Sequence, residues 1–496
     1  MGIPSYFRKI VKAYPNCIVS ELDEKPSLLC FDFNCLIYRC LRSPSLPPYS
    51  SENEEWEKLL LKEVAACVKE VWITAGKPSH VFIGVDGVVP MAKIRQQRVR
   101  RFKSAWLRSS QEGWDSNAIT PGTEFMEKLT AMLHKEAAKH SNWIVSGSNE
   151  RGEGEHKILS YVRKNDITGE IIIYGLDADL ILLSMLLSEE KNLSVLLLRE
   201  KQEFGVTAQV QEVQEYSFLS ISELKVLVNV TDYTSALNYI ALMSLMGNDF
   251  LPHSLTHKLN EDGHDFVIRE LRKMKDSSHW LVDTHGGVTL HVLRGIFSKW
   301  SKDESTRIDN MIHKKQDQAK RGVLKGMDEK EGLPLLWNVE SALLQKGRLV
   351  ANWKDLYWNW IHPDADREKV CEEYIRGFQW VIDYYTGKDV NKEWMFPYWL
   401  PPLWSDLEKI STLPLSNTSD SLGPEEQEQL AMVLPLSSWG LIRDSKLKTL
   451  PYLLPQFWPL QFKFFSAGRK WLWECEALVP VLTAGRLRHI LNRQVQ

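Results

Sequence analysis

The chain has 496 residues and a formal net charge of −3, which excludes a uniformly basic nucleic-acid binder but permits a locally basic groove, because attraction depends on where charge sits. Its 44% hydrophobic content is that of a folded protein, with length for roughly two to four domains or one large core with insertions. The seven cysteines are odd in number, include no C-x-x-C pair, match no zinc pattern, and fit reduced, buried thiols in an intracellular protein.

No signal peptide is visible, and the longest apolar stretch, near Leu180–Leu187, is too short to span a bilayer and contains Ser184. Met1-Gly2 begins a myristoylation pattern, but Tyr6 stands where Ser or Thr is required. A soluble protein without membrane contact is expected.

In chain order, the apolar run Ser27–Phe31 predicts a strand that is followed by Asp32. Pro44 to Glu55 is a polar loop, and Glu54–Thr74 reads as a helix. His80–Val85 predicts a second strand, Asp86 follows it, and Gly87 and Pro90 break it. From Met91 to Arg108 there are seven Lys or Arg and no acid. Lys93, Gln97, Arg100 and Arg101 share one helical face, either a solvated charged surface or a clamp for a phosphate. A helix over Thr123–Lys139 leads to a strand at Trp143–Val145, then to Glu153 and Glu155 of R-G-E-G-E-H-K and a helix over Gly154–Lys164. Glu170–Leu176 predicts a strand running into Asp177-Ala178-Asp179, and Leu193–Leu198 a further strand. Asp249 ends a helical segment in L-M-G-N-D-F-L-P-H.

Strand–helix alternation over 1–255 implies an α/β core with a parallel sheet covered on both faces. Residues 256–345 read as a polar, helical connecting region. Within it, His313–Lys325 is a charged run expected as a mobile solvated loop, with a nuclear signal as the weaker reading. The third region, 346–496, is dense in aromatics, with fourteen of the 19 Trp falling after residue 250, and Asn417–Glu428 reads as an exposed loop.

The C-termini of parallel strands lie along one edge, so the acids after them would converge. A single Asp after a strand is commonly a cap or turn residue. The D-A-D and G-E-G-E pairs have no simple capping role, and several strand ends behave alike. Crowded carboxylates repel, and hard divalent cations remove that conflict. Two such ions can stabilise the attacking and leaving oxygens of a phosphodiester. A metal-dependent nuclease is the reading these residues favour.

The same stretches resemble the eukaryotic 5′→3′ exoribonucleases, a family with a cytoplasmic and a nuclear branch. The resemblance rests on M-G-I-P-S-Y-F at the N-terminus, F-D-F-N at Phe31–Asn34 and D-G-V-V-P-M-A-K-I-R-Q-Q-R-V-R-R-F from Asp86. G-E-G-E-H-K at Gly152–Lys157, Y-G-L-D-A-D-L at Tyr174–Leu180 and G-N-D-F-L-P-H at Gly247–His253 extend it. A second region follows as V-C-E-E-Y-I-R-G-F-Q-W-V at Val370–Val381, Q-L-A-M-V-L-P at Gln429–Pro435 and A-L-V-P at Ala477–Pro480.

The resemblance implies a PIN/FEN-like nuclease core: a central, mainly parallel sheet flanked by helices, with a helical, aromatic-rich C-terminal region packed on it to complete an RNA channel. It implies Mg²⁺-dependent, processive release of nucleoside 5′-monophosphates from single-stranded RNA carrying a 5′ monophosphate, with two ions and Mn²⁺ as the alternative metal. Carried over by motif, Asp32, Asp86, Glu153, Glu155, Asp177, Asp179 and Asp249 match the catalytic metal-site acids. Lys93, Gln97, Arg100 and Arg101 match the 5′-phosphate pocket. Asn34 and Tyr38 are expected against the substrate, and Trp394 is a candidate second stacking residue or an ordinary core tryptophan. A monomer is expected, compact and without the family's long C-terminal extensions, in the cytoplasm or alternatively the nucleus.

Three departures stand out. Tyr38 occupies a position where the family has His, and Leu237-Asn238 a position where it tends to carry two acids. The family's Y-P-Y-H-Y-A-P becomes Phe396-Pro-Tyr-Trp-Leu-Pro-Pro402. The rival readings are a flap-type structure-specific 5′ nuclease and a catalytically silent RNA-binding scaffold.

Overall fold

The computed structural model describes residues 6–22, 24–108, 113–200, 215–322, 329–361, 364–414 and 421–493. Met1–Ser5 of the N-terminal motif, the end of the charged run at 323–325 and the loop positions 417–420 lie outside them.

Seven strands form one sheet: β1 (Ile18–Val19), β2 (Leu28–Asp32), β3 (His80–Gly84), β4 (Trp143–Ser146), β5 (Glu170–Tyr174), β6 (Ser194–Glu200) and β7 (Tyr216–Ser220), in the order β1-β7-β6-β5-β2-β3-β4. Strands β6, β5, β2, β3 and β4 run parallel, and β7 and β1 close one edge antiparallel. The fold is therefore α/β with a mixed, mainly parallel sheet. The two antiparallel edge strands escaped the sequence reading.

Successive strand residues point to opposite faces, and two hydrophobic layers divide them accordingly. Leu28, Cys30, Ile171 and Ile173 enter one core, while Leu29, Phe31, Ile172 and Tyr174 enter the other. The helices Trp56–Thr74 and Glu124–Ala137 cover the second face. The first face carries Gly154–Lys164, Asp179–Lys191 and Tyr233–Met246. The last two helices are buried nearly all round, which is why they show as apolar stretches without a helical period.

The first-face core draws on all three stretches, 1–255, 256–345 and 346–496, from Tyr6 to Ala467. The division thus marks changes in composition within shared packing. The run at His313 is corrected from a mobile loop to part of the helix Glu304–Arg321, which buries Ile308, Met311 and Ile312. Lys315 goes in with them and donates to Glu340 at 2.7 Å and to the Ser466 carbonyl at 2.9 Å. Among the described residues, no helix is long and apolar enough to cross a membrane, and all seven cysteines are free.

The basic stretch forms a helix over Met91–Leu107, and nine of its 17 residues are buried. Its apolar side chains Met91, Ile94, Val99 and Phe102 pack against Leu430–Leu434, Phe457, Trp458 and Val479. Arg98 is fully buried and donates to three main-chain carbonyls, those of Pro480 at 2.9 Å, Met432 at 2.6 Å and Phe457. The solvated-face reading of this helix is thereby corrected: the C-terminal region sits on it.

Candidate active site

The parallel register fixes where the acids stand. Asp32 lies opposite Gly84 of β3, which lies opposite Ser146 of β4, and Phe31 lies opposite Tyr174 of β5. Asp86, Glu153 and Asp177 follow within a few residues of those ends, so all leave the sheet at one edge. Carboxylate oxygens of Asp32, Asp86 and Glu155 come within 4.8 Å of one another, and Glu153, Glu155 and His156 form a second such group.

Glycine makes this convergence possible. The Gly154 N–H donates to Asp86 at 2.7 Å. A Cβ on Gly154 would stand 2.7 Å from both the Asp32 carboxylate and the Gly84 carbonyl. A Cβ on Gly175 would meet Leu180 at 2.3 Å and the Asp32 side chain at 3.2 Å. The G-E-G-E spacing thus places two glutamates around a backbone that must pass against other backbone.

Buried carboxylates this close together resist ionisation. Burial first, then Asp86, Asp177 and Asp179, raise Asp32 well above the usual carboxylate range. Burial and then Glu153 do the same to Glu155. Asp179 is pushed up to about 7 by burial and Asp177, and its Oδ1 is buried without a protein partner. Such a carboxylate-rich set, strained by its own charge and holding an orphaned oxygen, fits hard divalent cations.

One cation is already present. Lys93 places its ammonium 2.5 Å from Glu153 and 2.8 Å from Asp249. Burial would raise the Asp249 pKa, but Lys93 overcomes it and holds the carboxyl at about 2. The expected phosphate ligand Lys93 therefore stands among the acids. Gln97 and Arg101, further along the helix, are buried, and Gln97 Oε1 and Arg101 Nη1 have no protein partner. Burial lowers Arg101 to about 10, with the Tyr38 hydroxyl acting against it, so the guanidinium stays charged at neutral pH. Arg100 is half-buried. Tyr38 exposes 38% of its surface, and Asn34 accepts the Asp86 N–H at 3.3 Å.

The indole of Trp394 packs on Gly377 and Trp380, points its N–H to Glu373 at 3.3 Å and is 6% exposed. The departure at Leu237-Asn238 is also one of packing. Leu237 is in the core, and Asn238 exchanges hydrogen bonds with the Val282 backbone at 2.8 and 2.9 Å.

Two supporting residues went unassigned in the sequence. Lys157 donates to the Val85 and Gly147 carbonyls at 2.7 and 2.8 Å, pinning the ends of β3 and β4 together. It lies inside the G-E-G-E-H-K motif, but nothing in the spacing gives its direction. Tyr384 donates to Glu153 at 2.7 Å and lays its ring 3.9 Å from that of His156. It arrives from the helix Arg367–Tyr385, far along the chain, and only tertiary packing brings it there.

Comparison with known proteins follows this geometry. The profile described as XRN 5′-3′ exonuclease N-terminus matches residues 1–201, and that of the Xrn1 helical domain matches residues 353–495. The chain is 24% identical to a fruit-fly (Drosophila melanogaster) 5′-3′ exoribonuclease 2 homolog, over 98% of this chain and 70% of that protein. It is 26% identical to human 5′-3′ exoribonuclease 1, over 98% of this chain but 34% of that protein. With Saccharomyces cerevisiae 5′-3′ exoribonuclease 1 it shares 30% identity over 58% of this chain and 22% of that protein. A solved structure of the catalytic core of Rad2 with DNA overlays 55% of this chain and 70% of its own, at a TM-score of 0.33 and 14% identity.

Proposed function

The chain belongs to the XRN 5′→3′ exoribonuclease family, and from that premise we propose that it removes nucleotides one at a time from single-stranded RNA bearing a 5′ monophosphate. The observation that carries this reading is the meeting of Asp32, Asp86 and Glu155 oxygens within 4.8 Å, beside the helix that bears Lys93 and Arg101.

Asp32, Asp86, Glu153, Glu155, Asp177, Asp179 and Asp249 would hold two Mg²⁺ ions, or Mn²⁺ in their place, which supply an activated water and neutralise charge at the phosphodiester. The protein's own part is positioning. Arg101, whose Nη1 has no protein hydrogen-bond partner, and Gln97 would receive the terminal phosphate, and Arg100 adds a second guanidinium. Lys93 holds Glu153 and Asp249 in place between the two subsites. Tyr38 offers an exposed ring for the terminal base to stack on. Asn34 and Gly154 hold Asp86 from either side. A pocket formed by these residues and sized for one phosphate would account for exonucleolytic action and for rejection of triphosphate or capped ends. The protein would act as a monomer, in the cytoplasm, and its seven free thiols fit a reducing compartment.

Purified protein with Mg²⁺ is expected to degrade 5′-monophosphorylated RNA to mononucleotides and to spare the 5′-triphosphate form, with turnover lost in EDTA. Equal degradation of both ends would overturn the pocket assignment. Asp177→Ala is expected to abolish cleavage while RNA binding persists; unchanged turnover would overturn the metal assignment.

A further inference from the structure

The helix Met91–Leu107 has a second polar face that the phosphate pocket does not use. At about 100° per residue, Arg95, Gln96, Val99 and Lys103 lie roughly a third of a turn away from Lys93, Gln97 and Arg101, with Arg100 between the two sets. This face lines a cavity of about 390 Å³, closed on its other sides by the Asp249–His253 loop, Lys258, Trp399 and Arg469. That volume falls in the range of small-molecule sites.

The cavity is electrostatically unbalanced. Arg95, Arg100, Lys103, Lys258 and Arg469 face it, against the acids Asp249, Glu474 and Glu476. Asp249 is already paired with Lys93, and Glu474 accepts the Lys470 and Trp471 N–H groups at 2.8 and 3.2 Å. None of the five cations forms an ion pair with a described carboxylate. Arg95 donates to the Tyr398 carbonyl at 2.7 Å, Lys103 to the Trp473 and Cys475 carbonyls at 2.9 Å each, and Lys258 to the Gly468 carbonyl at 3.0 Å. Arg469 is 6% exposed, and its Nε is buried without any partner. Burial, then Arg469 and Lys258 beside it, drive His253 well below its ordinary range, and burial and Arg469 lower Lys258 to about 8. Five cations, Arg469 buried and the others partly so, outnumber the three acids around the cavity, where Glu476 acts on Arg95 and Lys103 and Glu474 on Lys258, and the excess positive charge calls for an anion.

The remaining wall is flat and apolar. Trp399 carries the Arg95 guanidinium 4.6 Å from its ring centroid, and Met246, Leu251 and Pro252 complete it. A phosphate beside an aromatic ring is the profile of a nucleotide. The cavity shares Asp249 and Arg100 with the reaction site, so it opens beside the centre where a mononucleotide would be released.

We propose that this cavity binds a nucleoside 5′-monophosphate, its phosphate among Arg95, Lys258 and Arg469 and its base against Trp399. That the nucleotide is the released product rests on the exonuclease reading; its binding does not.

The test is calorimetric titration of the full chain in EDTA with uridine 5′-monophosphate, inorganic phosphate and uridine. The nucleotide is expected to bind more tightly than phosphate, and uridine not at all. Lys258→Gln and Arg469→Gln should each weaken nucleotide binding roughly tenfold or more, the loss of a charge-assisted bond, with KM for RNA unchanged. Trp399→Leu should erase the advantage of nucleotide over phosphate. Should Arg469→Gln not fold, Lys258→Gln and Arg95→Gln carry the same test. Nucleotide binding that survives these variants and is lost only in Arg101→Gln would place it in the terminal-phosphate pocket and overturn the proposal. So would variants that raise KM for RNA while nucleotide binding is intact, which would put the RNA strand in the cavity. Equal affinity for phosphate and nucleotide would overturn the nucleotide assignment. Nucleotide binding without RNA degradation would overturn the exonuclease reading alone, and degradation without nucleotide binding the cavity alone.

Discussion

Two parts of the site meet at Lys93 and are supported in different ways. The acidic edge is built from strand ends and from glycines at which backbone touches backbone, as where Gly154 lies against Gly84. Its supports come mostly from residues 28–180, with Asp249 and Tyr384 reaching in from later in the chain. The basic helix is held from outside, by a C-terminal layer that accepts hydrogen bonds from Arg95, Arg98 and Lys103. The edge is close-packed, because backbone meets backbone there and leaves no room for a Cβ. The helix is rigid only while distant chain remains docked on it.

The sharpest way to break this contrast is at its tightest point. Gly154→Ala should cost about 3 kcal/mol, at the upper end for overpacking because the new methyl meets backbone and a carboxylate. It should also cut turnover about 100-fold through misplaced acids. Wild-type turnover with an unchanged melting temperature would show that the edge is softer than described. Next, Arg98→Met should lower stability by about 2–3 kcal/mol, because three buried carbonyls lose a charged donor at once. Limited proteolysis should then cut first in 421–493, and cleavage confined to the strand edge would reverse the ranking. Arg101→Gln should lower kcat/KM on 5′-monophosphorylated RNA by about 2 kcal/mol, roughly 30-fold, while leaving melting near wild type; a large melting shift would make Arg101 structural. Smallest, Tyr384→Phe should cost about 1 kcal/mol in turnover by freeing Glu153. No change in kcat would detach the C-terminal layer from the acidic edge.

The acidic edge was the more legible part. Apolar runs such as Glu170–Tyr174 mark strands, and parallel strands put their C-termini together, so Asp32, Asp86 and Asp177 could be grouped without coordinates. The surroundings of the basic helix were not legible. A run of seven cations reads as solvated when the layer covering it begins more than 300 residues later, as Leu430 and Phe457 do. The same blindness made a loop of the segment that buries Lys315. Its converse hid the helix Asp179–Lys191, whose burial on nearly every side erases the period that betrays a helix. In each case the deciding contact is long-range, and local pattern carries no record of it.

The carbonyl contacts of the basic helix also bear on how such a chain can change over time. Arg98 grips the main chain at Met432, Phe457 and Pro480, and Arg95 and Lys103 grip it at Tyr398, Trp473 and Cys475. A carbonyl oxygen is present whatever side chain its residue carries. The C-terminal layer can therefore exchange many of its amino acids and keep its hold on the helix, provided its path through space is kept. The helix cannot drift in the same way, since each of its arginines and lysines is the donor. Substitutions would then accumulate unevenly, freely on one side of this contact and sparingly on the other.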